Sequence, residues 1–263
     1  MGSFRKVVAG FIALAAGLSC MAEPVEIPIT SGHTDVELTK GTAILVTVVV
    51  EDMDLRIVGD DCLNVILDIE KFEYDGRGHR KPHIFLDEDE KLLSVYLGRH
   101  VEGKRLTLTV PREVSVKARG QDSSAEIEFI DGEIEINTVD GDIVLKGLKG
   151  GIVANTVDGD ISIQMSNTGM KNPISLATVD GEVFVETQVE IDADLFASSI
   201  DGALKTELPI QVKVGGFRSN WGGVNVQTKL GKGGALLSLR TIDGDIVIKG
   251  GKAAEQTAAE AED

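Results

Sequence analysis

Apolar and polar residues alternate along much of this chain, and the alternation restarts after each of a series of Asp-Gly pairs. In nearly every copy, the residues two and four places after the glycine are aliphatic. Because successive side chains of a β-strand point to opposite faces, this spacing predicts a short strand with one buried face. The residues that it predicts to point inward and to stack on one another are Ile143, Leu145, Ile161, Ile163, Val183, Val185, Leu204, Val224, Val226, Ile246 and Ile248. Val144 and Phe184, at the positions between, are expected to face outward.

The Asp-Gly pairs divide the second half of the chain into repeats of about 20 residues. Their glycines fall at positions 132, 141, 159, 181, 202 and 244, and Trp221-Gly222 stands where a further copy is expected. A second strand-like run separates successive turns, as in 150–156. One coil of two short strands cannot bury its own apolar face, so neighbouring coils must stack. The pattern predicts an all-β fold, a β-solenoid in which each coil of about 20 residues pairs in parallel with the next.

The rest of the chain is organised around this repeat array. Strand-like runs at 35–39, 43–50, 54–58, 63–69, 92–97, 106–110 and 114–118 predict a less regular β region, and the polar segment 74–82 is predicted to be a loop. The tail 252–263 is rich in Ala and Glu, a composition typical of disorder. The predicted organisation is one β domain over 23–251, with the less regular part at 25–118 and the repeat array at 119–251.

Residues 1–22 have the pattern of a secretory signal peptide. Arg5 and Lys6 precede an apolar run over 7–18, which is too short to span a membrane comfortably. The small residues before position 23 predict cleavage after Ala22, and the competing interpretation is a lipoprotein anchored through Cys20. Cleavage after Ala22 would leave Cys62 without a partner for an internal disulfide. The chain is therefore expected to be exported to the periplasm, the outer surface or the medium, with no membrane-spanning segment in its mature form.

The charge of the chain restricts its partners. Its formal net charge is −17, and 11 of its 263 residues are aromatic. Nucleic acids and anionic membranes need clustered Lys and Arg, and single-stranded nucleic acids also need aromatic platforms. These features argue against nucleic acid as a partner and leave a glycan or an envelope protein as the candidates.

Three segments carry a resemblance to a known family. They are the strand 106–111 ending in Pro111, the Thr-Val-Asp-Gly-Asp-Ile copies, and the Gly-rich segment 230–234 that leads into 239–244. In these motifs the chain resembles the bacterial putative-adhesin family, a domain of unknown function in exported proteins. The resemblance implies a single-stranded right-handed β-helix and offers no catalytic residues to carry over.

The turn carboxylates are the most conspicuous candidate for chemistry. Stacked coils would align Asp140, Asp158, Asp180 and Asp201, and oxygen ligands in such a row could bind Ca²⁺. The favoured interpretation is structural, because Asp and Gly both suit tight turns. The candidate calcium ladder is Asp140, Asp142, Asp158, Asp160, Asp180 and Glu182.

A column of hydroxyl residues lies three places before the turn glycines. Its members are Thr138, Thr156, Thr178, Ser199, Ser219 and Thr241. None of the four histidines lies in the array, so a catalytic Ser would lack a base. The column is therefore predicted to be a ladder of hydrogen bonds between coils.

Two further features are candidates for partner binding. Arg77, His79, Arg80 and Lys81 form the one local basic patch, which is either a solvated loop or a contact for an anionic glycan or partner. Trp221 replaces an Asp of the turn column and either packs at a coil corner or offers a platform for a sugar. A zinc site from His79 and His83 is disfavoured because Pro82 opposes the helix that would bring them together.

These observations predict a non-enzymatic exported envelope or surface protein, an adhesin-like solenoid scaffold or binding module, without a cofactor. Solenoids present long surfaces that suit extended partners. Two alternatives remain open. The chain could be a polysaccharide-active enzyme on a β-helix, which would need a carboxylate pair in a cleft or a base beside a Ca²⁺ site. It could also be a periplasmic envelope-stress accessory protein.

Overall fold

A computed structural model describes residues 24–29, 31–37, 44–62, 64–75, 81–87, 89–97, 101–165, 171–187, 191–208, 210 and 223–250. The described residues form 23 strands and no helix, so the predicted all-β fold is confirmed. They fall into two compact units, Met1–Ile136 and Asn137–Asp263. The predicted signal peptide, Cys20 and the predicted tail lie outside the described residues. None of the described segments is a helix of the length and hydropathy needed to cross a membrane.

The first unit contains strands β1 to β13. Their bounds are β1 Val25–Pro28, β2 His33–Glu37, β3 Leu45–Glu51, β4 Asp54–Asp60, β5 Asn64–Glu70, β6 Glu73–Tyr74, β7 His83–Asp87, β8 Leu92–Tyr96, β9 Val101–Glu102, β10 Arg105–Pro111, β11 Ser115–Gln121, β12 Ala125–Glu128 and β13 Ile134–Asn137. Asn137, the last residue of β13, already belongs to the second unit. Most of the predicted runs are strands, but β1, β7 and β9 lie outside those runs, and Tyr74 lies in β6 rather than in the predicted loop.

Two sheets make up most of this unit, with orders β1-β7-β8-β3-β11-β13 and β2-β5-β10-β4-β12. Strands β3 and β4 pair in parallel with both of their neighbours, whereas the outer pairs β1–β7 and β2–β5 are antiparallel. Alternate residues are buried, as in β3, where Val46 and Val48 are fully enclosed and Val49 is exposed. The period-2 pattern of the sequence is thus the inside–outside pattern of the strands.

The second unit contains strands β14 to β23. Their bounds are β14 Ile143–Lys146, β15 Ile152–Asn155, β16 Ile161–Met165, β17 Ile174–Ala177, β18 Val183–Thr187, β19 Ala193–Asp201, β20 Leu204–Thr206, β21 Val224–Leu230, β22 Leu236–Asp243 and β23 Ile246–Gly250. They form parallel ladders in the orders β15-β17-β22-β19 and β14-β16-β18-β23-β20, and β21 is added antiparallel to β19. These stacked two-strand coils confirm the β-solenoid.

The coils of this unit do not stack in chain order. Strand β18 pairs with β23 rather than β20, and β17 pairs with β22 rather than β19. The coil β22–β23, last in sequence, therefore lies between the coils β17–β18 and β19–β20. The sequence-based expectation that each coil pairs with the next is wrong at this point, because β21 folds back along β19 and returns the chain to the gap.

This rearrangement changes the roles of two predicted core residues. Val224 begins the antiparallel strand β21 and is half-buried instead of stacking in a coil. Leu204 does pair with Ile246, but β20 ends its sheet among the described strands, so Leu204 is also half-buried. The other predicted inward residues are buried, and Val144 and Phe184 lie half-exposed on the opposite face.

Replacing Ile161 tests this register. Ile161 is fully buried, with Ile143 and Val183 beside it in the neighbouring strands. We expect Ile161→Ala to lower the free energy of unfolding by about 2 to 5 kcal/mol, through lost apolar burial and a residual cavity. The matched control is Val153→Ala, because Val153 is exposed. Urea denaturation measures both, and equal midpoints for the two variants would contradict the inward position of Ile161.

Candidate functional site

The Asp-Gly turns depend on glycine for two separate reasons. Gly159 has φ +143° and Gly181 has φ +151°, a region that L side chains rarely adopt. A Cβ atom on Gly159 would also collide with the carbonyl oxygen of Gly141 in the neighbouring turn. The Gly159 amide donates to Asp180 O at 3.0 Å, and the Asp180 amide donates to Val157 O at 2.8 Å. Successive turns are therefore in backbone contact, which places equivalent side chains in columns.

The columns follow the spatial order of the coils. Parallel β-bridges of the backbone pair Asp140 with Asp158, Asp158 with Asp180, and Asp180 with Asp243. Asp201 comes last, paired with Asp243 in the parallel register of β19 and β22. The predicted alignment of Asp140, Asp158 and Asp180 is confirmed, but Asp201 is separated from Asp180 by Asp243.

The hydroxyl column connects adjacent turns. Thr178 Oγ1 donates to Gly159 O at 3.0 Å, and Thr241 Oγ1 donates to Gly181 O at 3.0 Å. Ser199 Oγ donates to Gly244 O at 3.0 Å. These hydroxyl residues are buried, so each would carry an unsatisfied polar group without its carbonyl partner. The predicted hydrogen-bond ladder is confirmed at these positions, and Ser219 lies outside the described residues.

The carboxylates that follow the turn glycines form a second ladder. Asp142 Oδ1 accepts the Asp160 amide at 2.9 Å, and Asp160 Oδ1 accepts the Glu182 amide at 2.7 Å. Asp245 Oδ1 accepts the Ala203 amide at 2.8 Å. Each carboxylate thus satisfies a backbone donor of the neighbouring coil.

Asp245 is a member of this ladder that sequence reasoning left out, although the Asp-Gly-Asp motif could have identified it. Its carboxylate is paired with the Lys205 ammonium. The hydrogen bond from Lys205, followed by that from the Ala203 amide, lowers the pKa of Asp245 below its ordinary value. The same hydrogen bond to Asp245 raises the pKa of Lys205.

The six residues of the candidate calcium ladder occupy two different columns. Asp140, Asp158 and Asp180 lie in the exposed first column, whereas Asp142, Asp160 and Glu182 lie in the second. Within the described residues, no group of three or more His, Cys, Asp or Glu side chains is arranged to hold a metal ion. Calcium binding stays the untested alternative to the structural interpretation, and in the second column it would compete with the hydrogen bonds to amides.

The residue before each first-column Asp forms a further column, and it is aliphatic. Val139, Val157, Val179, Ile242 and Ile200 are exposed, although comparable side chains two places after the glycine are buried. Val or Ile stands at this position in all five repeats. Only the structure places its side chains in solvent.

The basic patch and Trp221 stay predictions. Arg77, His79, Arg80 and Trp221 lie outside the described residues. Lys81 is exposed, and its carbonyl oxygen accepts a hydrogen bond from His83 Nδ1 at 2.8 Å.

The two described histidines have carboxylate neighbours. His83 Nε2 lies 3.3 Å from Glu26 Oε1, and its ring lies 5.3 Å from that of Tyr96, between centroids. His33 Nδ1 lies 2.5 Å from Asp68 Oδ1. Both histidines join neighbouring strands.

Comparison with known proteins gives one family and one solved structure. The model of the family described as Toastrack DUF4097 matches residues 112–249. No curated protein matches the chain. The chain is similar to a crystal structure titled as that of a putative cell adhesion protein from Clostridium sporogenes. The two are 12% identical, the match covers 87% of this chain and 100% of that one, and the TM-score is 0.43.

Substitutions at one turn distinguish a structural role from a calcium site. We expect Asp158→Asn to change the free energy of unfolding by less than about 0.5 kcal/mol, because its side chain is exposed. Gly159→Val should lower the free energy of unfolding by about 1 to 3 kcal/mol through backbone strain. The collision of the new Cβ atom with Gly141 O should add to this loss. Urea denaturation measures both variants. A melting temperature that rises steeply with micromolar Ca²⁺, and no longer does so in Asp158→Asn, would instead establish an ion site.

The Lys205–Asp245 pair predicts a pH dependence. Because folding lowers the pKa of Asp245 from 3.8, its contribution to stability is present above pH 3.8 and is lost as the pH falls through the folded value. We expect Asp245→Asn to melt below wild type at neutral pH, and the difference to shrink as the pH falls below 3.8. Thermal melts against pH measure this, with Glu207→Gln as an exposed control. A difference that does not change with pH would contradict the assignment.

Proposed function

Because this chain belongs to the Toastrack DUF4097 family, we propose that it is a non-enzymatic protein of the cell surface or envelope, in which the β-solenoid displays a binding surface. A Toastrack DUF4097 domain fits an adhesin-like scaffold, but membership of the family does not identify the binding partner. The chemistry of the described residues supports the choice of a binding role over a catalytic one.

The observation that carries this proposal is the way the repeated polar groups are used. The hydroxyls of Thr178, Thr241 and Ser199 are directed at carbonyl oxygens, and the carboxylates of Asp142 and Asp160 at amides. A nucleophile needs a base within hydrogen-bond reach, and an acid–base pair needs two groups in one cleft. Each of these side chains instead makes a hydrogen bond to the backbone of the neighbouring coil. What the repeats leave for a partner is their solvent-facing surface.

The location at the surface is supported by the N-terminal pattern. Arg5 and Lys6 followed by an apolar run are typical of a secretory signal. We infer cleavage after Ala22, with lipidation at Cys20 as the alternative. Cys62, the free cysteine of the described residues, donates its Sγ–H to Asn64 O at 3.2 Å, so the described strands depend on packing rather than on a disulfide. Proposed partners are a glycan or another envelope protein.

A combined localisation and binding experiment tests this function. We expect the protein in the envelope or the medium with a mature chain that starts at Glu23, as measured by fractionation and intact mass. On a glycan array, with and without Ca²⁺, and against envelope proteins, we expect binding without turnover. Retention of the uncleaved chain in the cytoplasm would contradict export. Depolymerisation of a polysaccharide, measured by new reducing ends, would show an enzyme instead.

A further inference from the structure

The exposed aliphatic column of the second unit has no role in the core. We call it the aliphatic ridge, formed in spatial order by Val139, Val157, Val179, Ile242 and Ile200. The relative exposure of these residues ranges from 41% to 59%. Neighbouring coils of a parallel ladder lie about 4.8 Å apart, so the ridge is about 19 Å long. A continuous row of exposed aliphatic side chains is a feature of interaction surfaces, whereas scattered ones are common on any protein.

An equally regular row of charge runs beside the ridge. It consists of the exposed carboxylates of the first turn column, Asp140, Asp158, Asp180, Asp243 and Asp201. The five turn segments, 138–142, 156–160, 178–182, 199–203 and 241–245, together contain nine acidic residues and no Lys or Arg. In the part of the chain that the structure describes, no hydrogen bond or ion pair joins the five first-column carboxylates to a basic side chain.

The charge of this row is not explained by the turn geometry. Glycine supplies the unusual backbone angle, and Asn or Ser suits the preceding position as well as Asp does. Like charges about 4.8 Å apart repel one another, so five carboxylates in register oppose the stacking that holds the coils together. The second column differs, because its carboxylates accept amide hydrogen bonds. The first column therefore carries a cost in stability that a cationic partner would offset.

We propose that the aliphatic ridge and the adjacent Asp row form a docking surface for an extended polypeptide segment in which aliphatic residues alternate with Lys or Arg. The inference rests on the proposed function as a binding scaffold and names its partner class. In an extended chain, successive side chains point to opposite sides. A segment lying along the two columns can thus place one set of side chains over the ridge and the other over the carboxylates. About six or seven extended residues span the 19 Å estimated for the ridge.

The charge excludes other occupants of the same surface. A second copy of the chain would bring an identical acidic row against this one, and the whole chain carries a net charge of −17. Nucleic acids and anionic lipid surfaces are repelled for the same reason. A neutral glycan would leave the carboxylates without a counter-charge. The combination of a wholly acidic row and an aliphatic row fits a cationic, partly apolar polypeptide.

Synthetic peptides provide the first arm of the test. The probe is a labelled peptide of about seven residues that alternates Val and Lys, compared with peptides that alternate Ser and Lys or Val and Glu. Fluorescence anisotropy with the full mature chain, in about 0.15 M salt, measures the dissociation constants. We expect the Val/Lys peptide to bind at least about tenfold more tightly than the Ser/Lys peptide, because only the former buries apolar surface, and the Val/Glu peptide not to bind. Equal affinity of the Val/Lys and Ser/Lys peptides would overturn the proposal.

Matched variants provide the second arm. Val157→Thr combined with Val179→Thr keeps the β-branched shape and removes two exposed methyl groups, so we expect about tenfold weaker binding of the Val/Lys peptide. Asp158→Asn combined with Asp180→Asn should weaken binding and reduce its salt dependence. The controls are Val153→Thr and Glu207→Gln, which are exposed but belong to neither row. Equal losses in the ridge variants and their controls would refute the assigned surface.

The outcomes separate this inference from the proposed function. Circular dichroism and melting temperature show whether the valine variants fold. If they do not, peptide binding by the asparagine variants tests the surface instead, together with changes in the amide chemical shifts of the wild-type chain when the Val/Lys peptide is added. Shifts confined to 138–142, 156–160, 178–182, 199–203 and 241–245 would support the docking surface, and shifts elsewhere would overturn it. A chain that is exported and binds a glycan without binding the Val/Lys peptide would refute the docking surface alone. A chain that depolymerises a polysaccharide would refute the binding scaffold itself.

Discussion

The stacking of one Asp-Gly turn on the next is the constraint on which the second unit depends. Gly159 and Gly181 adopt a backbone angle that excludes side chains, and their closeness leaves no room for a Cβ atom between layers. This closeness brings the glycine carbonyl within reach of the buried hydroxyl of the next coil, as between Thr178 and Gly159. Without the turn contact, the hydroxyl would be buried without a partner and the aliphatic residues after the turn would lose their register.

Because every layer presents the same edge, the order of layers along the chain is not imposed by the turns. Any coil with a hydroxyl, an Asp-Gly turn and two inward aliphatic residues can fit against any other. The antiparallel return of β21 along β19 allows β22 and β23 to insert beside β17 and β18. The hydrogen bond from Thr241 to Gly181 joins the inserted coil to the coil β17–β18. The hydrogen bond from Ser199 to Gly244 joins it to the coil β19–β20 on its other side.

The same periodicity that stacks the core also produces regular surface rows. Some columns of the repeat make hydrogen bonds between coils, as Asp160 and Thr178 do. Others are exposed to solvent, as Val157 and Asp158 are. Because the layers repeat, an exposed residue type that recurs in each repeat forms a row along the face of the solenoid. This links the solenoid to recognition of extended partners rather than to a single reactive cleft.

The sequence by itself determined the strand type, the turn glycines, the inward aliphatic columns and the hydroxyl ladder, because each follows from a local period or from the conformational limits of one residue. Ile161 and Thr178 could be placed in this way. Tertiary structure alone decided which coil lies beside which, since identical turn edges carry no record of order, and so only the structure put Asp243 between Asp180 and Asp201. It also decided which columns are exposed. Aliphatic residues stand both two places before and two places after the turn glycines of the stacked coils, and the turn directs only the latter into the core at Gly141, Gly159, Gly181 and Gly244.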